Sequence, residues 1–233
     1  MVNEPGAGDD TITVILEEAS SAGTARDRLD QWARHEDPEV RRAVAENPST
    51  RTDSLVALSK DDDKRVRAAV AAHTVAPARV LEELAFDEEW SVRAAAAGNT
   101  ALDEFSLSEA ARDDDVRVRR RAASNPGLSL DDLDRVSEDD DVRIRVAAAA
   151  HEGASETILS RLSEDSEWQV RAAVGESAAA AMVLLRTLAT DEDWRVRMAV
   201  ATNAATPAEV REALLLDGDE GVRVAAARHG SQA

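Results

Sequence analysis

Apolar residues recur along this chain in short bursts three and four positions apart, and each burst is closed by a polar turn rich in Asp, Asn or Pro. The bursts keep a fixed clock. Val-Arg or Ile-Arg stands at 40–41, 66–67, 92–93, 118–119, 144–145, 170–171, 196–197 and 222–223, always 26 residues apart. Leu29, Leu55, Leu81, Leu107, Leu133, Leu159 and Leu185 keep the same interval, and Arg211 breaks that column in the eighth copy. Three positions further on stand Trp32, Leu58, Leu84, Ala110, Val136, Leu162, Leu188 and Leu214, which is helical spacing.

The punctuation predicts two helices per unit. In DPEVRRAVAENP, Asp37 reads as an N-cap, Pro38 takes the first helical position, Val40, Ala43 and Val44 share one face, and Asn47-Pro48 ends the helix. In TPAEVREALLL, Thr206 reads as the cap of the other helix, with Pro207 next and Glu209 completing a capping box. Helices of roughly ten residues are not stable alone in water, so the apolar columns have to be buried by stacking one unit on the next. The expected fold is an all-α solenoid of eight two-helix repeats over residues 29–233, wound as a right-handed superhelix. Residues 9–28 keep part of the register (Asp9, Asp10, Thr11, Val14) with Ile15 in the arginine position, and read as an N-terminal cap after a flexible segment 1–8. The sequence stops just after the second helix of the eighth unit, with no polar capping unit, so weak end-to-end association stands beside a monomer as an expectation.

Composition narrows the function. Alanine supplies much of the 43% apolar content, with four Trp, two Phe and no Tyr, which suits a thin continuous core. The net charge of −19 argues against a phosphate backbone as ligand, because nucleic-acid affinity rests on Lys and Arg displacing counterions; a basic protein or peptide suits that field better. The chain has no Cys, so disulfides, thiolate metal sites and iron–sulfur ligation are excluded. No apolar run approaches membrane-span length and the N-terminus lacks the plan of a signal peptide, so a cytoplasmic location away from the membrane is expected.

Two columns pair by charge. Arg41, Arg67, Arg93, Arg119, Arg145, Arg171, Arg197 and Arg223 recur six residues after Asp61, Asp87, Asp113, Asp139, Asp165, Asp191 and Asp217, with His35 at the acidic position of the first unit. A bidentate Arg–carboxylate ladder between neighbouring repeats accounts for both. Five turns carry three consecutive acids, which read as helix caps with a solvated face, as a docking edge for a basic partner, or as calcium ligands; no 12-residue calcium loop supports the last. His73, His151 and His229 share a column with Asn47, Asn99, Asn125 and Asn203 and read as helix ends. Trp90, Trp168 and Trp194 begin their helices, either as interface anchors or as covers for the ladder's arginine stems. Arg121 stands in a column that is otherwise alanine, crowded by Arg117, Arg119 and Arg120. That departure reads either as a positive recognition patch for an acidic segment or phosphate, or as a long side chain snorkelling out of a thin core.

The segments DDDVRIRVAA and DEDWRVRMAV resemble the second helix of a HEAT repeat. The short unit with Asn-Pro exits, as in VRRAVAENPST, is more similar to the leucine-rich repeat variant of bacterial proteins, over residues 29–230. The resemblance implies an interaction scaffold, with DNA-repair glycosylases and phycobilin lyases as enzymatic branches of HEAT-like folds. Where the variant is joined to an iron–sulfur module, the cluster needs cysteines that this chain lacks. With no Cys nucleophile, Gly-rich phosphate loop or H-E-x-x-H, the expectation is a non-catalytic protein- or peptide-binding scaffold without a cofactor or a metal.

Overall fold

The computed structural model describes the backbone of residues 7–230 and side chains from 12 to 228. Seventeen α-helices and no strand occur among the described residues. Every short helix has seven residues: α2 (Arg26–Trp32), α4 (Thr52–Leu58), α6 (Ala78–Leu84), α8 (Glu104–Ala110), α10 (Leu130–Val136), α12 (Glu156–Leu162), α14 (Met182–Leu188) and α16 (Ala208–Leu214). The intervening helices are longer: α3 (Pro38–Glu46), α5 (Lys64–Ala72), α7 (Trp90–Ala97), α9 (Val116–Ala123), α11 (Val142–Ala150), α13 (Trp168–Glu176), α15 (Trp194–Thr202) and α17 (Glu220–Gly230). Ahead of them α1 (Ala7–Ser20) includes most of the segment read as a cap; residues 1–6 of the segment read as flexible lie outside the described residues.

The chain forms two compact units, residues 1–122 and 123–233. In the first, α1 packs on α3, α3 on α5 and α5 on α7, with the short helices against the long ones; in the second, α11, α13, α15 and α17 stack the same way. The leucine column and the Val/Ile before each ladder arginine are fully buried, as at Leu55, Val66, Leu159 and Val170. Small residues let the long helices approach. A Cβ added to Gly175 would lie 3.3 Å from Ala199 Cβ and Val200 Cγ2, so α13 and α15 meet almost backbone to backbone. Arg211, which breaks the leucine column, bends back to donate to the carbonyls of Asn203 and Thr206.

The arginine column bridges consecutive turns. Arg41 Nε and Nη2 bind Asp61 at 2.6 and 2.9 Å, while its Nη1 donates to the carbonyls of His35 and Glu36 in its own turn. The same pattern joins Arg67 to Asp87 and Arg93 to Asp113 in the first unit. In the second it joins Arg145 to Asp165, Arg171 to Asp191 and Arg197 to Asp217. Each of these aspartates also accepts from the amide two residues on, as Asp61 does from Asp63, and so shapes the turn that starts the next long helix. His35 fills the acidic position of the first repeat by accepting the Asp37 amide on Nδ1. Arg119 and Arg223 grip their own turns through the carbonyls of Asp113 and Asp217.

A second ladder lies under the helix ends. Asn47 donates to the carbonyls of Ala19 and Ser21, Asn99 to Ala71 and His73, and Asn203 to Gly175 and Ser177, each 26 and 28 residues back. His73 and His151 bond the carbonyls of Asn47 and Asn125 through Nε2, and accept the amides of Val75 and Gly153 on Nδ1. That geometry fixes the proton on Nε2. This column therefore joins repeats as well as ending helices; the side chain of His229 lies outside the described residues.

The expected capping box at Thr206 does not form. Pro207 is the N-cap of α16, Thr206 turns back to donate to the carbonyl of Val200, and Glu209 pairs with Arg186. The Val200 carbonyl, which also accepts the Asn203 amide, takes the hydroxyl proton and turns the side chain back from the amides of α16.

Arg171→Ala, which strands Asp191, is expected to cost about 2–4 kcal/mol, and Arg171→Lys, which keeps the charge but loses the fork, about 1–2 kcal/mol. Arg42→Ala, on exposed pairs with Glu39 and Glu46, should cost under about 0.5 kcal/mol. Urea denaturation of the three variants checks the order.

Acid should dissolve the same ladder. Burial pushes the carboxyls of Asp61, Asp87, Asp165 and Asp191 up, but the arginine fork, the turn amide and the arginine's charge pull them down further, below the ordinary range. At Asp217 the Arg197 fork is itself the largest influence. The N-caps Asp63 and Asp115 are held at about 2, chiefly by hydrogen bonds from Arg65 and Arg117. Folded values below the unfolded one, about 3.9, contribute stability that is fully present above it and lost as pH falls through the depressed folded values. Thermal melts are expected to hold from neutral pH down to about pH 4.5 and to fall steeply below pH 4; a loss already complete at pH 5.5 would contradict the ladder's role.

Candidate interaction surface

The acidic turns divide their three carboxylates among three tasks. In Asp61–Asp63 the first holds Arg41, the third caps α5 by accepting the Arg65 amide, and the middle one, Asp62, is exposed. Glu36, Glu88 and Asp114 in the first unit, and Asp140 and Glu192 in the second, are the matching exposed members. In Asp87–Glu89 the third acid makes no side-chain cap and pairs with Lys64 instead. Part of each turn's charge is thus already engaged, and the acidic edge is weaker than composition suggests. Among the described residues no group of three or more His, Asp or Glu is placed to hold a metal ion.

The tryptophans that begin long helices stack with arginines outside the ladder column. Trp90 and Trp168 meet the second residue of the next long helix, and Trp194 flanks its own helix neighbour. Arg117 lies over Trp90 with its guanidinium carbon 3.3 Å from the ring centroid. In the second unit Arg195 lies between Trp168 at 4.2 Å and Trp194 at 5.6 Å. The rings cover one face of each guanidinium and remain partly open themselves, with Trp90 36% and Trp194 40% exposed.

These arginines differ in what else they bind. Arg65, Arg117 and Arg143 fork onto the N-cap aspartate two residues before them, with shortest contacts of 2.6, 2.5 and 2.7 Å. Arg195 stands 3.7 Å from Asp193, outside hydrogen-bond range, and instead rests on the two indoles.

Arg121 and Arg120 are exposed on α9. The alanine column in which Arg121 stands is buried at Ala43, Ala173, Ala199 and Ala225 and half-buried at Ala69, Ala95 and Ala147; Arg121 itself is exposed, and its stem lies 3.6 Å from where a Cβ of Gly98 would be. This is the snorkelling geometry. Beside that column the long helices of the first unit bear a shallow open groove of about 560 Å³, lined by Ala45, Ala68, Ala69 and Ala72 with Arg42 and Arg65 at its rim. The six residues singled out from the sequence therefore fall into separate settings: Trp90 with Arg117, Trp168 with Trp194 around Arg195, and Arg120 and Arg121 further along α9. Arg195 was the member missed, although its place two residues after Asp193, as in Arg65 and Arg117, is visible as a column.

No protein-family model and no curated protein matches the chain. Among solved structures it is similar to a leucine-rich repeat variant with a novel repetitive structural motif, at 24% identity and a TM-score of 0.61, over 98% of this chain and 99% of that one. The chain has the fold of the leucine-rich repeat variant. It is also similar to the Escherichia coli protein YibA, at 13% identity and a TM-score of 0.54, over the whole of both chains. On this leucine-rich-repeat-variant fold, no helix among the described residues is long and apolar enough to cross a membrane.

Removing the guanidinium that covers Trp90 should make the indole easier to reach. Arg117→Ala is expected to raise acrylamide quenching of tryptophan fluorescence, and the increment should vanish in a Trp90→Phe background; equal quenching in Arg117→Ala and wild type would refute the stacking.

Proposed function

We propose that the chain is a non-catalytic scaffold that binds a protein or peptide through large surface side chains that only some of its repeats carry. The carrying observation is how the columns divide. The repeating polar residues, the arginine fork with its aspartate and the Asn/His column, spend their hydrogen bonds inside the fold. The large side chains that only some repeats carry, Trp90 with Arg117 and Trp168 and Trp194 around Arg195, stand at the surface. Indoles and guanidinium groups dominate binding energies at protein interfaces, and stacking holds these in place before a partner arrives. Arg120 and Arg121 extend the same type of surface along α9. Helical repeat solenoids present extended faces suited to this work, although the fold alone does not choose a function. The exposed middle carboxylates and the net charge of −19 favour a partner with a basic character overall and disfavour nucleic acid.

The test is capture from a lysate of the source cells with wild type, Arg121→Ala and the pair Trp168→Ala/Trp194→Ala, after thermal melts establish that the variants fold. A protein retained by wild type and lost with the tryptophan pair is expected. Recovery of nucleic acid alone, or of the same proteins by all three baits, would overturn the proposal.

A further inference from the structure

The chain has two phenylalanines, and the fold puts both on the outside of the first unit, against each other. Phe86 follows α6 and Phe105 lies in the first turn of α8; their ring centroids are 6.5 Å apart with planes tilted by 35°. They are 57% and 68% exposed, leaving on the order of 250 Å² of ring surface open to water. The repeat itself does not ask for aromatics there. The Phe86 column holds Arg34, Lys60, Arg112, Glu138, Glu164 and Thr190, with Leu216 as its one other apolar member, and the Phe105 column holds Asp27, Asp53, Arg79, Asp131, Thr157 and Glu209, with Val183 as its one other apolar member. Polar residues therefore satisfy both positions in most repeats, and no other repeat places aromatics there.

The rim of this pair is acidic. The Phe86 amide donates to the carbonyl of Glu83, continuing the helical turn, so Glu82 and Glu83 stand one turn back on the same side. Glu104 precedes Phe105 and Glu109 lies one turn beyond it; all four glutamates are exposed. Arg79 holds Glu83 at 3.2 Å and Arg112 approaches Glu109 at 3.7 Å, whereas Glu82 and Glu104 make no ion pair among the described residues. Residues 78–112 as a whole carry eight carboxylates against three arginines.

From this we infer that Phe86 and Phe105 form a docking site for an amphipathic helix of a partner protein, one whose aliphatic strip covers the rings and whose flanking lysines or arginines meet Glu82 and Glu104. The inference rests on the protein-binding reading above but concerns a different surface, the short helices in place of the N-termini of the long ones. An aromatic centre supplies the desolvated contact and the carboxylate rim supplies orientation and selection against acidic segments.

The probe is a fluorescently labelled Leu/Lys amphipathic helical peptide, with a Leu/Glu peptide of equal length as control, titrated by anisotropy against the full chain. Wild type should bind the Leu/Lys peptide and not the Leu/Glu one, with affinity falling as NaCl rises. Phe86→Arg/Phe105→Asp, residues that the same columns carry elsewhere, should weaken binding about tenfold or more, with Phe105→Asp alone intermediate. Trp194→Ala should bind like wild type. Equal binding by the double variant and wild type, preference for the Leu/Glu peptide, or no binding would each overturn the inference. So would a wild-type dimer in sedimentation that the double variant abolishes, since a second copy would then be the occupant. If the titration fails while a lysate partner is still lost with the tryptophan pair, this surface falls and the scaffold reading stands; if the titration succeeds and no variant alters lysate capture, the reverse holds.

Discussion

The structure depends on guanidinium groups that reach two turns at once, as Arg67 does. Three of its nitrogens serve two carbonyls behind it and one carboxylate ahead of it, so a turn of the chain is shaped partly by a residue that belongs to the previous repeat. The pairs are only 8–20% exposed, enough to remove them from most solvent screening without stranding either charge in a dry core. Helices of seven to nine residues, which have little stability of their own, acquire a defined start because the aspartate gripped by the arginine also binds the amide ahead of the helix. The Asn/His column does the corresponding task at the helix ends, tying them to carbonyls of the repeat before.

Where repeating residues fix both ends of a long helix, as at α5 with Asp61 and His73, the remaining positions are released from structural duty. The core needs little more than two aliphatic residues from the short helix, a Val or Ile and several alanines per repeat, and the glycine at 175 marks how little side chain the packing requires. Large residues then become conspicuous by location: Trp90, Trp168 and Trp194 are not needed to fill space and stand over arginines at the surface, and the phenylalanines are excluded from the core altogether. Only Trp32, in the first repeat, is used as a core residue.

Much of this was legible in the amino-acid sequence because the interactions themselves have a period. An Arg in register with an Asp twenty residues ahead can be read without coordinates, and so can Asp37 with Pro38 as a helix start. What escaped were choices between equivalent partners. The hydroxyl of Thr206 had amides ahead and carbonyls behind, and local pattern pointed to the wrong one. Three adjacent acids look alike in composition, yet one holds an arginine, one caps a helix and one is free, a distinction set by the turn's hydrogen bonds. Phe86 and Phe105 are nineteen residues apart, a separation that belongs neither to a helix nor to the 26-residue repeat, and only the placement of α6 beside α8 brings them together.

The fork's fixed reach also constrains how such a chain can be inherited. A duplication or loss of 26 residues, or a whole multiple, returns every arginine to an aspartate and every asparagine to its carbonyls; a change of any other length places a repeat out of phase with both ladders at once. Length therefore changes in quanta, and between those quanta the surface positions are free to drift. An ancestor with identical repeats could have diversified at Trp90, Arg121 and Phe105 without renegotiating a single inter-repeat bond.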